Sequence, residues 1–334
     1  MQLITQTCLF ITLIAFKNAY IIQDHPVTLM TIQNFTGPKF HTAGISALLS
    51  IAGVLFSAYL LHRNVAAALL FGILTTWLLG IICQVIGIYH VDPQNGFFSL
   101  LPEFDTISLT EPYHAFCDLF GSAFDIEQWK HKASGSSGLS LLMSADFLAV
   151  CLAFLFSDFF DTVGTVNGAV VNTPLMKEDG NIPKLRKILL ADSVATFAGG
   201  VLGTSTTTTF AESAVGIRAG ARTGLSSLIC AFWFLISLVC APIFMAIPGF
   251  ATAPALIIVG FLMIKSILNI DWNDIAGAIP AYLLLVGIVF TYNISDGLAL
   301  GIISYTILNC SIKGRVSWLL WFLSALFIVK HLCL

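Results

Sequence analysis

Residues 223–264, TGLSSLICAFWFLISLVCAPIFMAIPGFATAPALIIVGFLMI, contain no charged residue and are bounded by Arg222 and Lys265. At roughly 20 residues per helix, this stretch is long enough to cross a lipid bilayer about twice. Long uninterrupted apolar blocks are typical of segments whose solvent is lipid. The stretch therefore predicts membrane-spanning helices.

The composition of the whole chain points the same way. Hydrophobic residues make up 57% of the chain and charged residues only 10%, whereas soluble proteins carry about 25% charged residues. Such a chain could bury a large core but could not cover it with a polar surface. The net charge of −3 argues against nucleic acid as a partner. We therefore predict an all-α polytopic membrane protein.

Apolar segments follow one another along the chain and predict about 10–11 transmembrane segments. One of them, 205–217, is too short and too rich in threonine for an ordinary span. It predicts a broken element, part extended and part helical, which is tolerated at membrane depth only inside protein or beside a cavity. The predicted segments are 4–22, 43–62, 65–89, 138–160, 187–203, 205–217, 224–247, 252–269, 274–291, 294–312 and 315–333.

The charges of the loops predict an orientation. Basic residues cluster at 177–187, 218–222 and 313–315, and the positive-inside rule places these loops in the cytoplasm. The long acidic loop 90–137 then lies outside the membrane.

Two aspartates in residues 156–165, FSDFFDTVGT, are candidate functional residues. Asp158 and Asp161 are three residues apart and share a helix face, with Thr162 beside them. Two carboxylates this close in a dry site would not both ionise easily, which favours a proton-binding site. The alternative is a helix end in cytoplasmic water, where the aspartates are caps or solvated. The spacing does not separate the two interpretations.

A run of hydroxyl residues precedes Glu212, in GTSTTTTFAE at 203–212. Threonine favours extended backbone, and a half-helix after the run would point its positive N-terminus toward the bilayer midplane, as in many secondary transporters. Glu212 would lie in the first turns of that half-helix and accept hydrogen bonds from a ligand. The alternative is a packing interface with Glu212 paired to a neighbour. Asp192 on the preceding segment either braces the site or makes a structural pair.

These motifs resemble those of the AzgA-type purine permeases, the adenine/guanine/hypoxanthine transporters of the xanthine/uracil permease superfamily. Residues 156–165 resemble the family signature FVDLFDTxGT, and residues 190–214 resemble its LLADA…GTSTTTTYVESA block. The resemblance runs from about residue 8 to residue 312. Further matches are FKNA at 16–19, RTGL at 222–225, IDWND at 270–274, AIPA at 278–281 and ISDGLALG at 294–301.

The resemblance implies a fold of fourteen segments in two inverted repeats, with a core domain and a gate domain. On this plan the first four segments are expected to be missing from the chain. Residues 1–89 would be gate segments five to seven, 90–137 an extracytoplasmic loop, 138–250 the core half with segments eight to eleven, 251–312 gate segments twelve to fourteen, and 313–334 a hydrophobic tail.

The resemblance also implies a function: import of purine nucleobases across the bacterial inner membrane by proton symport. Glu212 and Asp158 would bind the purine, and the backbone of the threonine run would contact the edge of the base. Asp161, Asp192 and Thr162 would couple protons or support the substrate ligands. The remaining substrate contacts are assigned to Thr206, Thr207, Thr208 and Thr209.

Two other classes of function compete with transport. A non-transporting remnant of a truncated or split permease is the main alternative. The expected partners are the purine and membrane lipid, together with a second copy of the chain in a homodimer or a complementing N-terminal fragment. An enzyme is not expected, since the sequence shows no metal-ligand cluster, nucleophile elbow or phosphate loop. No cofactor and no metal are expected, and the coupling ion is expected to be a proton.

Overall fold

The computed structural model describes residues 2–25, 29–35, 37, 39–65, 67–102, 110–124, 145–170, 182, 184–210, 212–264, 267, 270–314 and 316–333. These residues are mostly helical, as predicted. The helices are α1 Gln2–Asn18, α2 Ile45–His62, α3 Ala68–Ile86, α4 Thr110–Leu119, α5 Ala145–Val170, α6 Leu185–Leu202, α7 Ser213–Arg218, α8 Gly224–Val239, α9 Ala241–Met245, α10 Gly249–Met263, α11 Ile275–Thr291, α12 Ile294–Lys313 and α13 Trp318–Cys333.

The helices agree with the predicted segments except in a few places. The segment predicted at 224–247 divides into α8 and α9 at Cys240, because Pro242 has no N–H to continue a helix. The helix predicted to end at 160 continues to Val170, and residues 138–144 lie outside the described chain. The prediction of an all-α chain was also incomplete, since strands β1 Ile22–His25 and β2 Leu29–Ile32 form an antiparallel pair.

The predicted loop 90–137 contains helical structure that the hydropathy pattern did not indicate. Helix α4 is followed by a 3-10 turn at Ser122–Phe124. The N–H of Gly121 donates to the carbonyl of Val201 at 2.9 Å. This bond fixes the end of α4 to the last turn of α6.

Two helices among the described residues are long and apolar enough to cross a membrane, judged by length and composition. They are Phe40–His62, which includes a π-helical turn before α2, and Ala68–Ile86. Shorter apolar helices include Gly224–Ser237, Gly249–Leu262, Ile275–Thr291 and Trp318–Val329.

The chain forms two compact units, and the first contains the described parts of 1–10, 110–213 and 263–334. In this unit α5 packs against α6, α12 and α13. A buried cluster including Leu284, Leu298 and Phe327 joins α11, α12 and α13. Buried Asn309 donates from Nδ2 to the carbonyl of Ala276 at 3.0 Å, which ties α12 to α11.

The second unit contains the described parts of 11–109 and 214–262. Helices α2 and α3 approach closely because small residues face hydroxyl side chains, with Gly53 opposite Thr76 and Gly72 opposite Ser57. The core around Trp77 also receives residues from the segment after α3 and from the start of α10. The predicted division of the chain into core and gate domains stays a prediction.

Candidate functional site

Helix α5 carries the first group of candidate residues near its middle. Asp158 and Asp161 are partly exposed on α5, and Thr162 is completely buried. Since α5 continues for two further turns to Val170, these aspartates do not cap a helix end, so that part of the alternative interpretation is wrong. Residues at spacings of three and four share one face of a helix, as the sequence predicted.

The end of α6 sets the direction of the threonine run. Gly203 has φ of +78°, and its N–H donates to the carbonyl of Gly200 at 3.3 Å, while the N–H of Thr204 donates to that of Gly199 at 2.9 Å. This is a Schellman motif, in which a left-handed glycine ends a helix and satisfies its last carbonyls. The chain then leaves α6 in non-helical backbone at 204–210.

The threonine run passes back along α6. A Cβ atom on Gly199 would lie 2.8 Å from Thr207 Oγ1 and 3.2 Å from the carbonyl oxygen of Ser205. The hydroxyl of Thr196, one turn earlier on α6, donates to the carbonyl of Thr207 at 3.1 Å. The absence of a side chain at Gly199 therefore allows the run to contact the helix.

Side-chain hydrogen bonds join α5, α6 and the threonine run. Thr206 Oγ1 donates to Asp158 Oδ1 at 2.8 Å. Thr162 Oγ1 donates to Asp192 Oδ2 at 2.7 Å and lies 2.8 Å from Thr208 Oγ1. The backbone of Thr209 makes a further hydrogen bond to the Asp192 carboxylate. Residues that are distant in sequence therefore form one polar cluster.

The cluster lines a cavity of about 830 Å³, which is within the usual size range of small-molecule sites. Three carboxylates and several hydroxyls face aromatic and aliphatic side chains there, and none of the described lining residues is basic. The lining residues are Phe154, Leu155, Asp158, Phe159, Asp161, Leu189, Asp192, Ser193, Thr196, Phe197, Ser205, Thr206 and Thr208.

The structure does not bring every predicted residue to this cavity. Glu212 is exposed and lies in the turn directly before α7, rather than in its first turn, and it is not among the lining residues. Thr207 and Thr209 contact α6 through backbone atoms. The substrate roles predicted for these residues stay predictions.

Sequence reasoning missed Thr196 and the aromatic residues of the cavity. Thr196 follows Asp192 by four positions, so both lie on one face of α6. That spacing was a usable signal. The positions of Phe154, Phe159 and Phe197 could not have been recognised, because phenylalanine is common throughout this chain.

These features define a class of protein: a mostly helical, multi-pass membrane protein with an acidic, hydroxyl-lined cavity. The chain belongs to the xanthine/uracil permease family, since the profile of this permease family matches residues 2–300. The predicted family is confirmed, and it is a family of permeases rather than of enzymes.

Three relatives illustrate the similarity. A permease of Methanocaldococcus jannaschii is 37% identical over 98% of this chain and 66% of its own length. The guanine/hypoxanthine permease PbuO of Bacillus subtilis is 37% identical over 92% of this chain and 63% of its own. The adenine permease AdeP of Escherichia coli is 33% identical over 92% and 60%, respectively. The chain thus spans about two thirds or less of the length of these curated relatives.

Proposed function

We propose that this chain takes part in the import of purine nucleobases across a bacterial cytoplasmic membrane, coupled to the entry of protons. The observation that carries the proposal is the polar cluster of Asp158, Asp161 and Asp192 with threonine hydroxyls around one cavity. The names of the relatives PbuO and AdeP support purines as the substrate class.

The chemistry of the cavity suits a flat, nitrogen-rich ligand. Carboxylates accept hydrogen bonds from N–H groups and bind them more strongly than neutral acceptors do. The rings of Phe154, Phe159 and Phe197 offer apolar faces to a planar base. We propose Asp158 as a purine ligand at this cavity, together with Thr206, Thr208 and backbone groups of the run.

Three neighbouring carboxylates also support coupling to protons. Like charges at short range favour retention of a proton by one of them. We propose that Asp161 and Asp192, with Thr162, hold the coupling proton. Glu212 is proposed as the second purine ligand. Because Glu212 lies outside the cavity lining, this role requires the segment around it to approach the cavity when the purine binds.

The finer architecture belongs to the same proposal. We propose two inverted repeats with core and gate domains, the outside location of 90–137, and either a homodimer or a complementing fragment as partner. The competing proposal is that these 334 residues alone do not transport, and the length comparison with the relatives is the observation that favours testing it.

Uptake measurements test the proposal directly. A purine-uptake-deficient bacterium expressing these 334 residues is supplied with radiolabelled adenine, guanine or hypoxanthine, after membrane insertion has been confirmed. We expect saturable uptake that collapses when the proton gradient is dissipated and is abolished by Glu212→Gln and Asp158→Asn. Asp118→Asn, an exposed acid on α4, serves as the matched control and is expected to transport normally.

Two outcomes contradict parts of the proposal. Uptake by Glu212→Gln at the wild-type rate would remove Glu212 from the site. An inserted wild-type chain without uptake would favour the non-transporting alternative, and purine binding to the purified protein would then show whether recognition remains.

A further inference from the structure

We infer that Thr162 transmits the protonation state of Asp192 to the cavity by setting the direction of a hydroxyl chain that ends at Thr208. Thr162 is thus a positioning residue that makes ligand recognition depend on the bound proton. The choice of ligand in the test rests on the proposed function, whereas the hydroxyl chain itself stands on the geometry of the described residues.

The chain consists of three groups within direct hydrogen-bonding distance. Thr162 Oγ1 lies 2.7 Å from Asp192 Oδ2 and 2.8 Å from Thr208 Oγ1. Thr162 is 0% exposed, so water does not reach its hydroxyl, and both of its hydrogen bonds must be made to Asp192 and Thr208. Asp192 and Thr208 both line the cavity.

A hydroxyl has one proton to donate and lone pairs to accept. When Asp192 is ionised it can only accept, so Thr162 donates to it and Thr208 must donate to Thr162. The proton of Thr208 then points away from the cavity. A ligand facing Thr208 in this state finds only a hydrogen-bond acceptor.

Protonation of Asp192 allows the opposite direction. The acid O–H donates to Thr162, and Thr162 donates to Thr208. The proton of Thr208 is then released toward the cavity, where it can donate to a ligand. No side chain moves by more than a hydroxyl rotation, yet the cavity wall, which could only accept a hydrogen bond from a ligand, can now also donate one.

Other titratable groups face Asp192 but do not share this chain. Among the described residues, Asp158 and Asp161 of α5 act electrostatically on Asp192. Asp158 accepts its own hydrogen bond from Thr206. The neighbouring carboxylates therefore change how readily Asp192 takes a proton, but the described hydrogen bonds carry the direction of the chain only through Thr162.

The two directions of the hydroxyl chain discriminate differently between ligands. Adenine carries an amino donor at the position where hypoxanthine carries a carbonyl acceptor. In the ionised state the carbonyl of hypoxanthine is mispaired, whereas in the protonated state Thr208 can pair with either base. We expect the ratio of the Kd of adenine to that of hypoxanthine to rise about tenfold from about pH 8 to about pH 5, since one mispaired hydrogen bond in a closed site costs about this factor. The Kd values are measured on the purified full chain in detergent.

Three variants separate the hydroxyl from the shape of the side chain. Thr162→Val keeps the shape and removes the hydroxyl, and it should make the Kd ratio independent of pH to within about twofold. Thr162→Ser keeps the hydroxyl and should retain the dependence. Thr165→Val alters a second buried threonine of α5 and should behave as the wild type.

The inference is overturned if Thr162→Val keeps the wild-type pH dependence, if Thr165→Val also loses it, or if the wild-type ratio does not change with pH. If Thr162→Val does not fold, Thr208→Val, at the cavity end of the hydroxyl chain, takes its place and should likewise make the Kd ratio independent of pH. In each of these cases purine binding by the wild type leaves the proposed function intact.

An infrared measurement tests the chain without any ligand. On acidification, the carbonyl band of protonated Asp192 is identified as the band missing from Asp192→Asn. Its frequency should shift in Thr162→Val but not in Thr165→Val. A shift with no purine binding would refute the proposed function alone, whereas an unshifted band would refute the hydroxyl chain.

Discussion

The adjacent glycines at the end of α6 offer a matched test of how the threonine run is held. Ordinary contact begins at about 3.4 Å, so a methyl group on Gly199 would displace the Ser205 carbonyl, at 3.2 Å, by about 0.2 Å and the Thr207 hydroxyl, at 2.8 Å, by about 0.6 Å. A methyl group on Gly200 meets no atom within 4 Å. Both substitutions gain the same helix propensity, about 0.5–1 kcal/mol.

The difference between the two variants isolates the contact with the run. We expect Gly200→Ala to raise the free energy of unfolding by about 0.5–1 kcal/mol and to leave the Kd for purine within about twofold of wild type. Gly199→Ala should be less stable than Gly200→Ala by about 1–3 kcal/mol, the usual cost of overpacking. Its Kd should rise about tenfold, because a binding site must hold its ligands within about 0.5 Å.

Thermal unfolding and equilibrium binding of the purified protein measure these two effects. Hydrogen exchange adds a readout that needs no ligand, because the N–H of Thr204 is bonded to the carbonyl of Gly199 at 2.9 Å. Exchange across 204–210 should accelerate in Gly199→Ala only. Equal stability, binding and exchange in the two variants would refute the view that Gly199 positions the run.

Two further substitutions test the packing around the site. Gly203→Ala should lower the free energy of unfolding by more than about 2 kcal/mol. Left-handed backbone strains alanine by about 1–2 kcal/mol, and the added Cβ would also lie 2.5 Å from the carbonyl oxygen at the end of α4. Gly314→Ala, where φ is +65° and the surrounding space is open, is the control and should cost the strain alone in the same denaturation assay. Asn309→Leu should cost about 1–3 kcal/mol by leaving the buried carbonyl of Ala276 without its donor, and an effect no larger than that of exposed Ser311→Ala would contradict this.

Much of the helical framework could be predicted because each helix is encoded locally. Apolar runs fixed most helices to within a few residues, and the spacing of Asp158 and Asp161 predicted their common face. The end of helical structure after α6 was also encoded locally, since Gly203 followed by hydroxyl residues does not suit a continuous helix. Helix α4 was missed because its sequence is polar, although Glu111 and Pro112 are typical of a first helical turn.

The arrangement of the site could not be predicted, because it depends on contacts between distant residues. Asp192 meets Thr162 across 30 residues, and Thr206 meets Asp158 across 48. No periodicity in the sequence encodes these pairs. The exposed position of Glu212 could not be predicted either, since the exposure of a side chain depends on which distant residues pack near it.

Two residues of α6 both hydrogen-bond to the backbone of the threonine run and line the cavity. A non-helical segment makes no helical hydrogen bonds of its own, and buried backbone groups without partners cost several kcal/mol each in an apolar medium. Here Thr196 donates to the carbonyl of Thr207, and Asp192 accepts from the backbone of Thr209. Both of these α6 residues also line the cavity.

A substitution at either position therefore removes a hydrogen bond to the threonine run and also alters the cavity wall. Loss of transport in Asp192→Ala would not by itself identify a proton carrier. Among the described residues, Thr162 hydrogen-bonds to the carboxylate of Asp192 and the hydroxyl of Thr208 rather than to the backbone of the run. Substitution of Thr162 therefore separates the two effects.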